Sequence, residues 1–423
     1  MSLLLRLVRI LDPRSKFHKK KVDVLIVNGA VERIGKNLRA KDAREIEGKA
    51  LHLSPGWLDM QVNFCDPGFE YKEDLDSGMK AAARGGFTAV AVKPSTLPVI
   101  DSKAQVEYIK NKSKNSIVNV YPIAALTKNF NGKDLTEMQD LHKAGAIAFS
   151  QGNRSISDSG IMLRSLQYVK SFDGIVFQLP DDPSISNDAS INESKVSVQM
   201  GMKGRPAISE EVMVNRDLQL LRYAESRLHF SQLSSAGSVE LIKKAKKEKL
   251  DISASVSPYH LIFDERAVSN FDTSYKFNPP LRGAKDRKVL VNALRDGHID
   301  VLTSVHSPHE DDAKKVEFES ASFGLIGLET LYALVNTELG DSIDQERIAE
   351  VLANNPRRIL DLETEPIAEG ASANFTLFDS KESWTFTTKD IGSKSRNTPF
   401  LNRTFTGRVK GVINGKKSKF FYS

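Results

Sequence analysis

Cysteine is almost absent: Cys65 is the only one in 423 residues. That excludes an intrachain disulfide framework, and no Cys/His spacing resembles a zinc finger. A reducing, cytoplasmic setting is the simplest reading of this scarcity. Long apolar runs are missing as well, and none reaches membrane-spanning length. The opening MSLLLRLVRIL is broken by Arg6 and Arg9 and is followed by no small-residue cleavage site, so it reads as a strand rather than a signal peptide. No glycine-rich phosphate loop follows a predicted strand; Gly85-Gly86 precedes one, which weakens a nucleotide-binding sheet. With 27% charged and 40% hydrophobic residues, the chain is neither disordered, collagenous nor coiled-coil.

The formal charge of +6 raises the question of nucleic acid. The basic residues are scattered, however, with small clusters at Lys19-Lys20-Lys21, Lys243 to Lys249 and Lys416-Lys417. The middle cluster falls on a predicted helix, where lysine is an ordinary solvated residue. Nothing resembles a nucleic-acid reader module, so neither nucleic acid nor membrane is an expected partner.

Two patterns divide the chain. Near the start, Val22 to Val27 and Val31 to Ile34 flank Asn28-Gly29, a pair suited to a type I′ hairpin turn. Near the end, Asn374 to Phe378, Trp384 to Thr387 and Gly407 to Ile413 are strand-like. These ends predict one small β-sandwich domain built from residues 1–53 and 363–423. Between them, residues 54–362 alternate short apolar runs with amphipathic stretches. The predicted strands are Trp57 to Val62, Thr88 to Lys93, Val118 to Ala125, Ala146 to Gln151, Gly174 to Leu179, Arg227 to Leu233, Asp251 to Ser257 and Asp300 to Val305. Predicted helices include Glu73 to Arg84, Ser209 to Ser226, opened by a Ser209-Glu210-Glu211 capping signal, and Gly237 to Glu248. Eight such strands predict an α/β fold of the (β/α)₈ barrel type.

Chemistry in such a barrel sits at the carboxyl ends of the strands. There the sequence places neutral amides: Gln61 and Asn63 after strand one, Gln151 after strand four, Gln178 after strand five and Gln232 after strand six. A hydrolytic divalent metal needs imidazole or carboxylate donors, and an amide oxygen is a weak, uncharged one. Amides can instead bond to one another and keep a polar mouth satisfied without charge.

The segments SPGWLDMQVNFCDPGFEYKEDLDSG, ARGGFTAVAVKPSTLPVIDS, YKFNPPLR, VHSPH, SFGLIGLET, NNPRRIL and SKSRNTPF resemble the dihydroorotase family of the amidohydrolase superfamily. The resemblance covers nearly the whole chain. It implies a metal-bearing barrel with a β-sandwich from both termini, hydrolysing the cyclic amide of dihydroorotate reversibly to carbamoyl aspartate. It also implies which residues stand at the family's functional positions. The metal-ligand positions carry Gln61, Asn63, Gln151, Gln178, Gln232 and Val305, the last at the position of the general base. The substrate-carboxylate arginine falls on Cys65 and a substrate-binding asparagine on Ser95. Asn278, His309 and the Phe323-Gly324 loop are retained. No catalytic residue is therefore expected, and the family's zinc is not an expected cofactor. His306 and His260 read as packed or hydrogen-bonded, Cys65 as no nucleophile for want of a base, and Glu73 and Asp74 as acidic residues opening a helix.

Three functions follow as expectations. The leading one is a homo-oligomeric, dihydroorotase-like pseudoenzyme with a structural or regulatory role beside aspartate transcarbamoylase, a partner implied by the resemblance alone. The second is an active dihydroorotase. The third is a small-molecule binding module on the same barrel.

Overall fold

The apolar runs of the central segment form eight parallel strands: β1 (Trp57–Val62), β2 (Phe87–Val92), β3 (Asn119–Ala125), β4 (Ala148–Ser150), β5 (Val176–Gln178), β6 (Leu228–Phe230), β7 (Ile252–Val256) and β8 (Val301–Leu302). They pair in sequence order in one sheet, each parallel to the next. β1, β2 and β7 are buried along their whole length, as strands enclosed by helices must be. This computed structural model describes residues 2–362 and 364–421; Met1, Glu363, Tyr422 and Ser423 lie outside the described residues, and Glu363 is where the second terminal segment was expected to begin.

Asp59 joins the two ends of the barrel sheet. Its Oδ1 accepts from the Gln61 N–H at 2.9 Å, and its Oδ2 accepts from the Ser304 N–H at 2.7 Å, across to the chain leaving β8. The Asn63 N–H adds a bond to the His306 carbonyl at 3.0 Å. Asp59 is fully buried, and burial pushes its carboxyl pKa upward.

Both termini meet in a second eight-stranded sheet, the expected β-sandwich domain. Leu51–Pro55 pairs antiparallel with Asn374–Thr385, which brings the two ends of the chain together. Leu5, Val8, Val24, Leu53 and Phe375 belong to its core. The Asn28-Gly29 turn has φ of 51° and 85°, the left-handed pair a type I′ hairpin requires. The sheet meets the barrel at Trp57, whose ring packs on Phe87, Tyr332 and Phe378. Beside it, buried Arg357 donates from Nε to the Gly56 carbonyl at 2.9 Å and from Nη2 to Thr88 Oγ1 at 3.0 Å.

Three local expectations need correction. Several barrel strands are shorter than predicted, with β8 only two residues long, so Gln151, Gln232 and Val305 lie beyond the ladders rather than ending them. Gln232 (φ 58°) and Val305 (φ 47°) adopt left-handed backbone, which no strand continues through. The helix expected at Ser209 runs Ile208–Ala224 with Ala207 at its N-cap; Ser209 Oγ turns back to the Pro206 carbonyl instead of capping. Glu73 does not open a helix. Asp74 caps Leu75–Arg84, and Glu73 before it is buried within the protein. Among the described residues, no helix is long and apolar enough to cross a membrane.

Candidate functional site

Each strand delivers its side chain to the mouth and the following loop decides what it bonds to. Gln61 on β1 and Gln232 after β6 meet, Nε2 of Gln232 donating to Oε1 of Gln61 at 3.4 Å. Among the five mouth amides, this is the one pair bonded to each other. Gln61 Nε2 is buried with no hydrogen-bond partner. Gln151 Oε1 accepts from the Thr127 N–H and Oγ1, both at 3.1 Å. Gln178 Oε1 accepts from the Ile156 N–H at 3.0 Å, and its Nε2 donates to Asp217 Oδ2 at 3.0 Å. Asn63 Nδ2 donates to Ser307 Oγ at 3.2 Å. Most of the amides thus hold their own loops rather than one another.

Val305 and Gln232 line a cavity of about 400 Å³ together with Asn278, His309, Phe323 and Gly324. Cys65 and Ser95 are not on its wall: Cys65 is buried, and Ser95 Oγ packs against Gly152. Arg205 Nη1 donates to Asn278 Oδ1 at 2.7 Å, fixing that amide with its NH₂ free. His309 Nε2 donates to the Phe323 carbonyl at 3.1 Å, and Nδ1 is left without a partner. Burial, helped by Lys72 and Lys314, pushes the His309 pKa down to about 4, so the imidazole is neutral. The Phe323-Gly324 loop is clamped by Lys314, whose Nζ donates to the carbonyls of Thr273, Ser322 and Gly324. Burial pushes the Cys65 thiol up to about 12, leaving it protonated and unreactive. A larger depression of about 640 Å³ lies on the terminal sheet around Arg6. There Arg6 is already held by Asp23, Glu45 and the Leu38 carbonyl.

Two features escape the sequence reading. Lys93 lines the cavity just past β2, as does Arg154 in the loop after β4. A basic residue closing an apolar run at a barrel strand's carboxyl end was the available signal for Lys93. The second feature is the buried hub at Glu73. It accepts from His306 Nε2 at 3.3 Å, from the Lys394 N–H at 3.0 Å and from the hydroxyls of Ser77 and Ser393. The Gly327 N–H donates to His306 Nδ1 at 3.2 Å, so the proton of His306 resides on Nε2 and both ring nitrogens are used. His260 is likewise engaged by Ser257 Oγ and the Pro279 carbonyl.

The zinc implied by the resemblance finds a poor donor set here. The six positions carry five amides and a hydrocarbon, and the oxygens of Gln61, Gln151 and Gln178 already accept hydrogen bonds. Among the described residues, no three His, Cys, Asp or Glu side chains are grouped for a metal ion. These residues do not fit a zinc site.

Relatives align with the chain from end to end. One from Syntrophus aciditrophicus named dihydroorotase is 37% identical over 413 residues, 97% of each chain. Another dihydroorotase, from Pelotomaculum thermopropionicum, is 39% identical over 418 residues, 98% of this chain and 97% of its own. The chain belongs to the dihydroorotase family. A family model described as dihydro-orotase-like matches residues 50–238, which places β1 to β6 and the amides after them inside the dihydroorotase match. The L-hydantoinase (dihydropyrimidinase) of Arthrobacter aurescens superposes with a TM-score of 0.86 at 21% identity, covering 100% of this chain and 97% of that one. At that identity the likeness speaks for the fold alone. This dihydroorotase-family chain thus carries five amides and Val305 around the mouth of its barrel.

Proposed function

We propose that this dihydroorotase-like protein of pyrimidine biosynthesis has lost metal-dependent cyclic-amide hydrolysis and acts as a cytoplasmic structural or regulatory subunit. One observation carries the reading: Gln61, Asn63, Gln151, Gln178, Gln232 and Val305, at the positions the resemblance assigns to the family's ligands, offer neither an imidazole nor a carboxylate. Without such donors nothing here holds a divalent ion or lowers the pKa of a bound water. Val305, a hydrocarbon, cannot accept a proton and so cannot serve as general base. Aspartate transcarbamoylase is the proposed partner, carried by the family resemblance, and self-association belongs to the same proposal.

A second reading, an active dihydroorotase, is favoured by the names of the relatives, which share 37% and 39% identity along almost the whole chain. On similarity alone that reading stands first. What speaks against it is confined to this chain's own side chains. It requires water to be activated by some group other than those six.

The decisive experiment purifies the protein with added Zn²⁺, measures bound metal, and assays dihydroorotate and carbamoyl aspartate in both directions. The expected outcome is no stoichiometric zinc and no turnover above a purified host background. Turnover that co-purifies with the protein would establish the active reading. For the subunit role, light scattering of a micromolar mixture with aspartate transcarbamoylase of the same organism should show a species larger than either protein alone. Two independent species and unchanged transcarbamoylase activity would remove that role and leave a binding module.

A further inference from the structure

Three large apolar side chains stay in water around one buried ring, Phe318. Val198 is 79% exposed, Phe271 51% and Val316 39%. Phe318 forms a small core with Ile191 and Val268, and Met200 and Met202 pack against it, both partly exposed. The ring of Phe271 meets Phe318 edge-on at 6.5 Å. Val316 stands two residues before Phe318, and Val198 two residues before Met200, on the helical turn Lys195–Gln199. Segments that follow β5, β7 and β8 thus contribute to one apolar patch. Single exposed apolar residues are ordinary, but a cluster that rims its own small core marks an interaction surface.

The patch is rigidly built. Phe271 has a left-handed φ of 58°, costly for a bulky residue, and its N–H donates to the Val268 carbonyl at 2.8 Å. That backbone turns the ring outward rather than into the core. Just beyond, Asp272 accepts from the Ser274 N–H at 2.9 Å. Thr273 Oγ1 donates to the Lys314 carbonyl at 2.7 Å, and Lys314 Nζ returns a bond to the Thr273 carbonyl. Lys276 Nζ donates to the carbonyls of Phe318 and Glu319 at 2.8 and 2.7 Å. Two loops tied in this way lose little freedom on docking. Met200 and Met202 add adaptable surface beside them.

Charge differs between the two sides of the patch. On the phenylalanine side, Asp272, Glu317 and Glu319 are exposed and form no ion pair among the described residues. On the methionine side stand Lys195 and Lys203, also exposed and without an ion pair among the described residues, against Glu193 alone. The chain as a whole carries +6, so the acidic side is a local exception. Such a surface is self-complementary. A two-fold rotation sets the lysine side of one copy on the acidic side of the other, and Phe271 over the methionine pair. A partner of one charge sign would be attracted to one side and repelled by the other.

We propose that this patch is the contact through which two copies of the chain associate about a two-fold axis, with Phe271 as the anchor. The inference rests on the self-association proposed above and names the surface that carries it.

The test is sedimentation velocity of the full-length protein from about 1 to 100 µM, the range in which a specific contact of moderate affinity saturates. A dimer is expected, weaker at high salt. Phe271→Asn, a residue that accepts left-handed backbone, should weaken it about tenfold or more. Val198→Ser should weaken it as well. Reversing one side, Lys195→Glu with Lys203→Glu, should weaken it too. Adding Glu317→Lys with Glu319→Lys in the same chain should restore it, because each copy then meets the inverted partner. Thermal unfolding verifies that each variant is folded. A parent that stays monomeric at about 100 µM would refute self-association and this surface together. A dimer unaffected by Phe271→Asn and Val198→Ser would leave self-association standing and overturn the surface. Loss on Phe271→Asn without restoration by the fourfold reversal would overturn the two-fold arrangement.

Discussion

Gln61 and Gln232 bond across the mouth at 3.4 Å, a long contact that leaves Gln61 Nε2 buried and unpaired. A mouth optimised only for packing would keep neither such a group nor the ammonium of Lys93. The stability of the protein should register that ammonium. Lys93 has an ordinary pKa of 10.5 in the unfolded chain and about 8 in the folded protein. Between those values the unfolded state binds more protons, so stability rises with pH there; below pH 8 the full penalty is present. Lys93→Met is therefore expected to raise stability at pH 7 by about 1–3 kcal/mol, the opening to the cavity reducing the effect below that of full burial. Urea unfolding of parent and variant should show this difference shrinking to nothing by about pH 10.5. A variant less stable at pH 7, or a difference independent of pH, would show that Lys93 carries no desolvation penalty.

At the scale of elements, the barrel depends on the seam between β1 and β8, which a single carboxylate bridges. Asp59 satisfies two backbone N–H groups that no strand partner reaches. Asp59→Asn keeps the shape but turns an NH₂ toward one of those donors. Loss of that bond, with a buried N–H left unpaired, should destabilise the protein by about 1–3 kcal/mol in urea unfolding. An unchanged midpoint would mean that the seam is held by packing and the Asn63–His306 backbone bond without help from Asp59. The loops beyond the strands follow the same logic. Gln151 and Gln178 are absorbed by Thr127, Ile156 and Asp217, and burial pushes the Asp217 carboxyl up to about 6. Strand ends were legible from apolar runs, but these partners were not. Thr127 and Asp217 lie 24 and 39 residues from the amides they hold.

For the whole molecule, Trp57 joins the two sheets, its ring packing at a tilt against Tyr332 and Phe378 while Nε1 donates to Ser54 Oγ at 2.9 Å. Trp57→Ala should lower stability by about 3–5 kcal/mol, and far-UV and tryptophan-free probes of both domains should lose cooperativity together. If the barrel retained its midpoint while only the terminal sheet melted, the two would be energetically separate. The sequence by itself determined the layout: apolar runs alternating with amphipathic stretches impose a barrel, and period-2 ends with an Asn-Gly turn impose a flanking sheet. It also determined which donors are missing at the mouth, because residue identity alone decides whether a side chain can ligate a metal. Only the tertiary structure decided where the amides point, that Glu73 and His306 are a buried hub, and that Lys93 faces Asn278 and His309 across one cavity. Those facts depend on loops of left-handed backbone at Gln232 and Val305 and on contacts between distant segments. Local periodicity records which face of an element is buried, and carries no information about which remote residue will cover it.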